Sequence, residues 1–452
     1  MGRGAGGGAL GGGVDSPAAL ALAPDASLLI ARGARGFAVH ARRALLRGRS
    51  AAAPPRPRFV FEGGAVSVAE CLPPTNLLAH VGAGGRDAEG VEGPSPRTLV
   101  LRDAAAAESD PEGVVAMRVG ARVTAVRLTR TAVVALTPGE ARVYSLETQA
   151  ELARVPCASD ADGLCAISDT GVLALPAADA RPGAVLLYDT ERLEVLGEVH
   201  AHKSRVSALA FAPDASAALL ATASSKGTIV RVFDVRTAQR VASFRRGRQP
   251  AMVCALAFSP APEAGGTRLL AATSDSGSVH VFRMDPGAGE ARRAEGGVSA
   301  SRIQDDGGDG PAAAAGAAAA KLRRWARGAL TAAASAGVVP ERLVDAVEPP
   351  AAAVIVRLPS GRVPKLCALT WPDGSFGVPE WHAQSERKAA AVRLVVMAAD
   401  GNAYEYEVHV PVDSVSVKLS DTASETPPLV WHHDLVRDKA RVAGSGGFVS
   451  VE

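Results

Sequence analysis

Aromatic residues are scarce in this chain of 452 residues, at 4%. That scarcity removes the stacking platforms on which sequence-tolerant RNA recognition depends. Net charge is lacking too: 49 Lys and Arg stand against 47 Asp and Glu, for a formal +2. No overall field points to nucleic acid, so any basic site is local. The five cysteines, Cys71, Cys157, Cys165, Cys254 and Cys367, are odd in number, scattered and never in a Cys-x-x-Cys pair. This speaks against a disulfide framework or a structural zinc site and fits a reducing compartment. No apolar run reaches the roughly 18 residues that span a bilayer, and no charged-then-apolar signal opens the chain. A soluble intracellular protein is expected. Met1-Gly2 suggests myristoylation, but position 6 is Gly6 where that motif takes Ser or Thr.

Signatures of chemistry are equally thin. No Ser/His/Asp order sits in a recognisable elbow, and Asp160-Ala161-Asp162-Gly163 is too short for a calcium loop. His432-His433 has no Cys or carboxylate set beside it. Gly2, Gly4 and Gly7 fit Gly-x-Gly-x-x-Gly without a preceding strand. No catalytic residue, metal or cofactor is expected, and the chain is not read as an enzyme.

What the chain does have is repetition. An apolar strand, a turn, a strand of small residues, a Gly turn and a strand ending in an aromatic recur from Ala18 onward. The order is clearest at Val206–Asp214 followed by Leu219–Phe233, and it has a near twin at Val253–Pro260, Leu269–Ser274 and Val279–Phe282. A last copy runs through Leu366–Trp371, Leu394–Met397 and Tyr404–Val408. Units of roughly 40 residues with three or four short strands are the mark of a β-propeller, and about seven are present. The expected fold is all-β, a seven-bladed β-propeller over residues 17–418. A Gly-rich N-terminus (1–16) and a tail (419–452) are expected to be disordered. The polar Gly-rich stretch Gly82–Ser95 reads as an exposed hairpin excursion.

A larger insertion, 285–350, falls between the third and fourth strands of the sixth unit. Its first half is rich in Gly, Ala and Asp, which predicts disorder. Within 321–334 an amphipathic helix is predicted: Leu322, Trp325, Ala326, Ala329, Leu330 and Ala333 share one face, and Lys321, Arg323, Arg324 and Arg327 fill the other. Gly328 and the many alanines weaken it.

The element around which the rest is arranged is Phe244-Arg245-Arg246-Gly247. Neighbouring side chains of a strand point to opposite sides, so the pair can serve two pockets, each guanidinium offering a planar fork to phosphate or carboxylate. Taken alone, a double arginine is most simply a solvated surface pair. With the repeats, the chain resembles the PROPPIN family, the phosphoinositide-binding seven-bladed WD-repeat propellers that include the autophagy WIPI proteins. The resemblance rests on Ala201–Phe211, Ala221–Phe233, Phe244–Gly247 and Ser274–Phe282 in that order.

The resemblance places a first lipid pocket on His202, Thr222, Ser224, Gly227, Thr228, Arg231 and Arg245, and a second on Arg246, Gly247, Ser274, Ser278 and His280. Hydroxyls and imidazoles around a guanidinium suit a phosphate, and Gly227 and Gly247 let backbone N–H groups approach. The same Ser and Thr residues also suit ordinary propeller turns and ladders. The resemblance further implies a long membrane-facing insertion in blade six, with Leu322, Trp325 and Leu330 entering the acyl boundary; a helix packed on the propeller is the alternative. Where the family often continues with a hydroxyl residue after Gly247, this chain has Arg248-Gln249-Pro250, which leaves headgroup preference open.

The implied function is a membrane effector and scaffold that recognises phosphatidylinositol 3-phosphate and phosphatidylinositol 3,5-bisphosphate. Its implied setting is autophagosome formation and endolysosomal trafficking, at preautophagosomal, endosomal or vacuolar membranes. Lipid-transfer or conjugation-machinery proteins are the implied partners, and a monomer that binds no nucleic acid is expected. A generic WD-repeat peptide-binding scaffold is the competing reading and gives Arg245 and Arg246 no role.

Overall fold

The computed structural model describes residues 20–23, 27–33, 35–41, 57–85, 92–106, 113–159, 163–178, 181–213, 219–260, 268–284, 349–359, 365–370, 389–398, 402–411 and 429–434. These form seven antiparallel sheets of four strands, each from consecutive chain. Blade one comprises β1 (Leu20–Leu22), β2 (Leu28–Gly33), β3 (Gly36–Ala41) and β4 (Phe59–Phe61). Blade two comprises β5 (Val66–Cys71), β6 (Leu77–Gly82), β7 (Thr98–Asp103) and β8 (Val114–Arg118). Blade three comprises β9 (Ala125–Leu128), β10 (Ala132–Thr137), β11 (Glu140–Ser145) and β12 (Glu151–Pro156). Blade four comprises β13 (Ala166–Ile167), β14 (Val172–Pro176), β15 (Ala184–Asp189) and β16 (Glu194–His200). Blade five comprises β17 (Val206–Phe211), β18 (Leu219–Ser224), β19 (Ile229–Asp234) and β20 (Arg240–Arg245). Blade six comprises β21 (Val253–Phe258), β22 (Arg268–Ser274), β23 (Ser278–Met284) and β24 (Val354–Arg357). Blade seven comprises β25 (Lys365–Thr370), β26 (Ala389–Ala398), β27 (Asn402–Pro411) and β28 (Leu429–Asp434).

The expected seven-bladed propeller is therefore present, with two refinements. The fourth strand of blade seven, β28, pairs with β27 through Ala403↔His433 and Tyr404↔His432. It lies inside the segment 419–452 that the sequence pattern assigned to a tail, so the propeller runs past residue 418. A six-residue strand preceded by Pro427-Pro428 and separated from β27 by 17 residues carries no repeat spacing by which to recognise it. The Gly82–Ser95 excursion continues the β6–β7 hairpin, with Gly84 N–H donating to Pro94 O at 3.0 Å and Gly93 N–H to Gly85 O at 2.9 Å. The blade-six insertion leaves β23 and returns to β24, which pairs with β23, between the third and fourth strands as expected. Residues 285–348, with Leu322, Trp325, Leu330 and the predicted helix 321–334, lie outside the described residues, as does the Gly-rich 1–16.

Burial explains why these segments are strands. The middle strands are enclosed on both faces by neighbouring blades, so β10 and β22 are apolar almost throughout instead of alternating. The ring closes by side-chain packing: β1 meets β25 and β26, and Leu29, Met397 and Ala403 form the seam with Leu22 and Leu366. Among the described residues no strand is exchanged between the first and last sheets. Elsewhere an ion pair staples three blades. Arg127 Nη1 meets Glu70 Oε2 at 2.7 Å, and its Nη2 donates to Cys165 O at 3.1 Å. Burial pushes the Glu70 carboxyl upward against the pull of Arg127 and of the Leu128 amide, so removing either partner strands a buried charge.

Candidate functional site

Two clusters of polar side chains lie over the cores that join blades four, five and six, and the β20 terminus runs between them. The first rests on Val199, Ala201, Val206, Leu220 and Phe233. Its imidazole, His202, follows β16, and its own N–H donates to Gly183 O at 3.0 Å. Gly183 has φ +92°, and a Cβ there would sit 2.1 Å from the His202 carbonyl oxygen. That glycine therefore fixes where His202 begins. Thr222 and Arg231 are directly opposed across β18 and β19, which puts both on one face. His202 Nε2 and Thr222 Oγ1 are 2.9 Å apart, and Arg231 Nη1 donates to Ala201 O at 2.6 Å. Burial, reinforced by the Arg231 charge, pulls His202 down to about 4. The imidazole is neutral at pH 7 and is held beside a permanent cation.

Ser224, Gly227 and Thr228 are tied in through backbone hydrogen bonds. Gly227 N–H donates to Ser224 O at 2.8 Å, and Thr228 O receives Arg246 N–H at 2.9 Å and Gly247 N–H at 3.4 Å. Gly227 has φ +60°, and a Cβ would lie 1.8 Å from Ala251 O. It is required by turn geometry and by a neighbouring carbonyl. Gly247 has open space where a Cβ would be. The N–H groups of both glycines donate within the protein, Gly227 to Ser224 O and Gly247 to Thr228 O.

Arg245 is positioned by its backbone. It pairs with Ile229 in the β19–β20 ladder, and its N–H donates to Pro350 O at 2.8 Å. It forms a parallel bridge with Ala351. Its Nε is buried and has no hydrogen-bond partner among the described residues.

The second cluster rests on the blade-five to blade-six core, where Phe244 stacks on Phe282 at 5.0 Å between centroids. Arg246 is buried; its Nε donates to Gly227 O at 2.8 Å and its Nη2 to Gln249 O at 2.5 Å. It pins the loop after β20 to the turn before β19 as well as carrying charge. Burial pulls Arg246 below its ordinary range, and Asp275 opposes that pull. From β22 to β23 a hydroxyl file runs Ser274 Oγ to Ser276 Oγ at 2.7 Å, Ser276 Oγ to Ser278 Oγ at 3.1 Å, and Ser278 Oγ to His280 Nε2 at 3.1 Å. Burial, then the Arg246 charge, brings His280 to about 4. Its Nδ1 is buried without a partner among the described residues.

The structure thus joins His202, Thr222 and Arg231 in one cluster and Ser274, Ser278, His280 and Arg246 in another. Thr222 and Ser274 are fully buried and orient the groups in front of them. Ser276, Asp275 and Gly183 were not anticipated. Ser276 lies in the turn between β22 and β23, outside any strand period, and so carried no periodic signal in the sequence.

Comparison with known proteins follows the same geography. The PROPPIN family model matches residues 119–301, a span that holds every predicted pocket residue. Autophagy-related protein 18 of Dictyostelium discoideum is 31% identical over 224 residues, 49% of this chain and 55% of that protein. The chain thus spans about half the length of the curated relatives it matches. Kluyveromyces lactis Hsv2 with its complete loop 6CD superposes with TM-score 0.57 at 16% identity, over 92% of this chain and 98% of that one. KlAtg21, solved in complex with the coiled-coil of AgAtg16, gives 0.56 at 15%, over 92% and 98%. At those identities the structures show the fold, and the sequence likeness to PROPPIN is carried by blades three to six.

Proposed function

We propose that this PROPPIN-like propeller is a phosphoinositide effector that holds a phosphate in each of the two pockets flanking the β20 terminus. The observation that carries the reading is that two of the nine buried side-chain atoms without a hydrogen-bond partner among the described residues, Arg245 Nε and His280 Nδ1, belong to residues of these two pockets. A buried donor left unpaired is costly, and a phosphate oxygen is the acceptor both would take. In the tautomer where Nε2 accepts from Ser278, Nδ1–H is the donor. Each pocket also sets a cationic guanidinium beside a neutral imidazole, so the resting site does not accumulate repelling charge and the anion meets donors already in place.

The lipids proposed are phosphatidylinositol 3-phosphate and the 3,5-bisphosphate. Two pockets engaging one bilayer bind at high effective concentration once either holds. The work proposed is scaffolding at autophagic or endolysosomal membranes, with no chemical step and with a coiled-coil protein among the partners. A headgroup-independent peptide scaffold is the competing reading.

The test is co-sedimentation of wild type and Arg245→Thr with liposomes carrying each phosphoinositide or none, with folding checked by thermal denaturation. Selective binding lost in the folded variant supports a lipid effector. Equal binding to all anionic vesicles by both proteins refutes it.

A further inference from the structure

Blade two departs from the repeat at one position. The fifth residue of the third strand is a buried aromatic in blades three to six: Tyr144, Tyr188, Phe233 and Phe282. In β7 it is Arg102. Arg102 is opposed to Leu78, so it shares a face of blade two with His80, two residues further along β6. Leu78 packs in the core between blades one and two, which turns that face toward blade one. His80 is only 2% exposed. Its ring lies 4.6 Å from that of Phe61 and 5.5 Å from that of Phe37, and Arg102 Cζ lies 5.8 Å from the Phe61 centroid. Across the junction, Arg32 is opposed to Phe37 in the β2–β3 ladder and so stands on the face that Phe37 presents to blade two. A pocket lined by Phe59, Leu78 and Ala104 opens into the same junction.

These cations are unanswered where others are matched. Arg127, Arg142 and Arg393 each meet a carboxylate, and Arg231 and Arg246 each donate to a carbonyl. Arg32 and Arg102 do neither among the described residues. Arg32 Nε, Arg102 Nε and His80 Nδ1 are three of the nine buried side-chain atoms there without a hydrogen-bond partner, and all three belong to this one junction. Burial pulls Arg32 below its ordinary range, with no carboxylate to oppose it. A desolvated cation without a counter-charge is costly, and an anion with several acceptor oxygens removes that cost.

We propose that the junction of blades one and two is a separate phosphate site, in which Arg102, His80 and Arg32 take the phosphate of a soluble ester or of a lipid headgroup. Burial, then the Arg102 charge, holds His80 down to about 4, so the ring is neutral at pH 7 and a bound phosphate selects the tautomer that donates from Nδ1. The site stands three junctions from each of the two pockets, going round the ring in either direction. The inference does not depend on what those pockets bind.

The test starts from Arg245→Thr/His280→Ala, which removes a group from each pocket. Calorimetry of this variant with inositol 1,3-bisphosphate is expected to show one remaining binding event. Adding Arg102→Phe, which restores the aromatic of the repeat, is expected to weaken that event at least about tenfold, the weight of a hydrogen bond to a charged group. Its melting temperature in chloride is expected to be no lower than the parent's. Arg32→Gln, at a half-buried position, is expected to weaken binding as well and guards against misfolding of the first variant. No binding by the parent, or equal binding after both Arg102→Phe and Arg32→Gln, overturns the inference. Displacement of the ester by acetate as readily as by inorganic phosphate overturns the phosphate assignment. Co-sedimentation of the parent with phosphatidylinositol 3-phosphate vesicles, lost on Arg102→Phe, supports the site with a lipid headgroup as ligand; calorimetric binding without sedimentation supports it with a soluble ester. Wild-type vesicle binding unchanged by Arg245→Thr would count against the two pockets and leave this site standing.

Discussion

The backbone N–H of Arg245 donates to the carbonyl of Pro350 at 2.8 Å, and Arg245 is bridged in parallel to Ala351. The chain returning from the blade-six insertion is thereby registered against the double-arginine strand, with Ala352 packed in the blade-five to blade-six core. Deleting 286–347, which keeps this root, is expected to preserve affinity for a soluble headgroup such as inositol 1,3-bisphosphate. Deleting 286–353, which removes it, is expected to weaken that affinity about tenfold, roughly one backbone hydrogen bond's contribution. Calorimetry with the soluble headgroup isolates the pocket from any effect of membrane insertion, and equal affinities would show that the root plays no part.

The two arginines predict different phenotypes. Arg246→Thr removes two donors to the carbonyls of Gly227 and Gln249 and is expected to destabilise the fold by about 1–3 kcal/mol. Arg245→Thr leaves the backbone bond to Pro350 intact, so it loses headgroup binding with a near wild-type melting temperature. Urea denaturation beside vesicle binding separates the two.

Gly227 and Gly247 are predicted to differ as sharply. Gly227→Ala forces a Cβ to within 1.8 Å of Ala251 O at φ +60° and is expected to cost more than about 2 kcal/mol. Gly247→Ala meets open space and is expected to lie within about 0.5 kcal/mol of wild type. Thermal melts of both variants check this, and a tolerated Gly227→Ala would contradict the turn assignment.

Acid is expected to loosen the ring. His80, His202 and His280 are each held down to about 4, burial being the first cause in every case. Between that value and about 6.5, the ordinary imidazole pKa, the unfolded chain binds protons that the folded chain does not. Stability therefore rises with pH across this window and is lost as pH falls through it, by at most about 1.4 kcal/mol per pH unit per histidine. Urea midpoints at pH 7.5, 6 and 5 should decline, and His80→Phe/His280→Asn should flatten the decline.

Much of this was legible in the sequence. The strand-turn-strand period at Val206–Phe233 and its twin at Val253–Phe282 specify blades because each repeat must bury two apolar faces against its neighbours. Phe244–Gly247 was expected to divide two pockets by strand alternation; β20 ends at Arg245, and Arg246 lies just beyond it, held by Gly227 O and Gln249 O. The blade-six insertion was placed between the correct strands. β28 was missed because its pairing with β27 is a contact across 17 residues of sequence that carry no repeat spacing. No local pattern records that contact.

The sequence by itself determined the all-β repeat, the number of blades and the residue types at both pockets, because periodicity and turn chemistry are local properties. Only the tertiary structure decided how those residues are used. It made Arg246 a loop pin as well as a charge, turned the N–H groups of Gly227 and Gly247 inward, ran the hydroxyl file through Ser276, and brought Pro350 to Arg245. Each depends on which carbonyl or side chain from a distant segment fills the space beside it. Close packing fixes that only when the ring is closed.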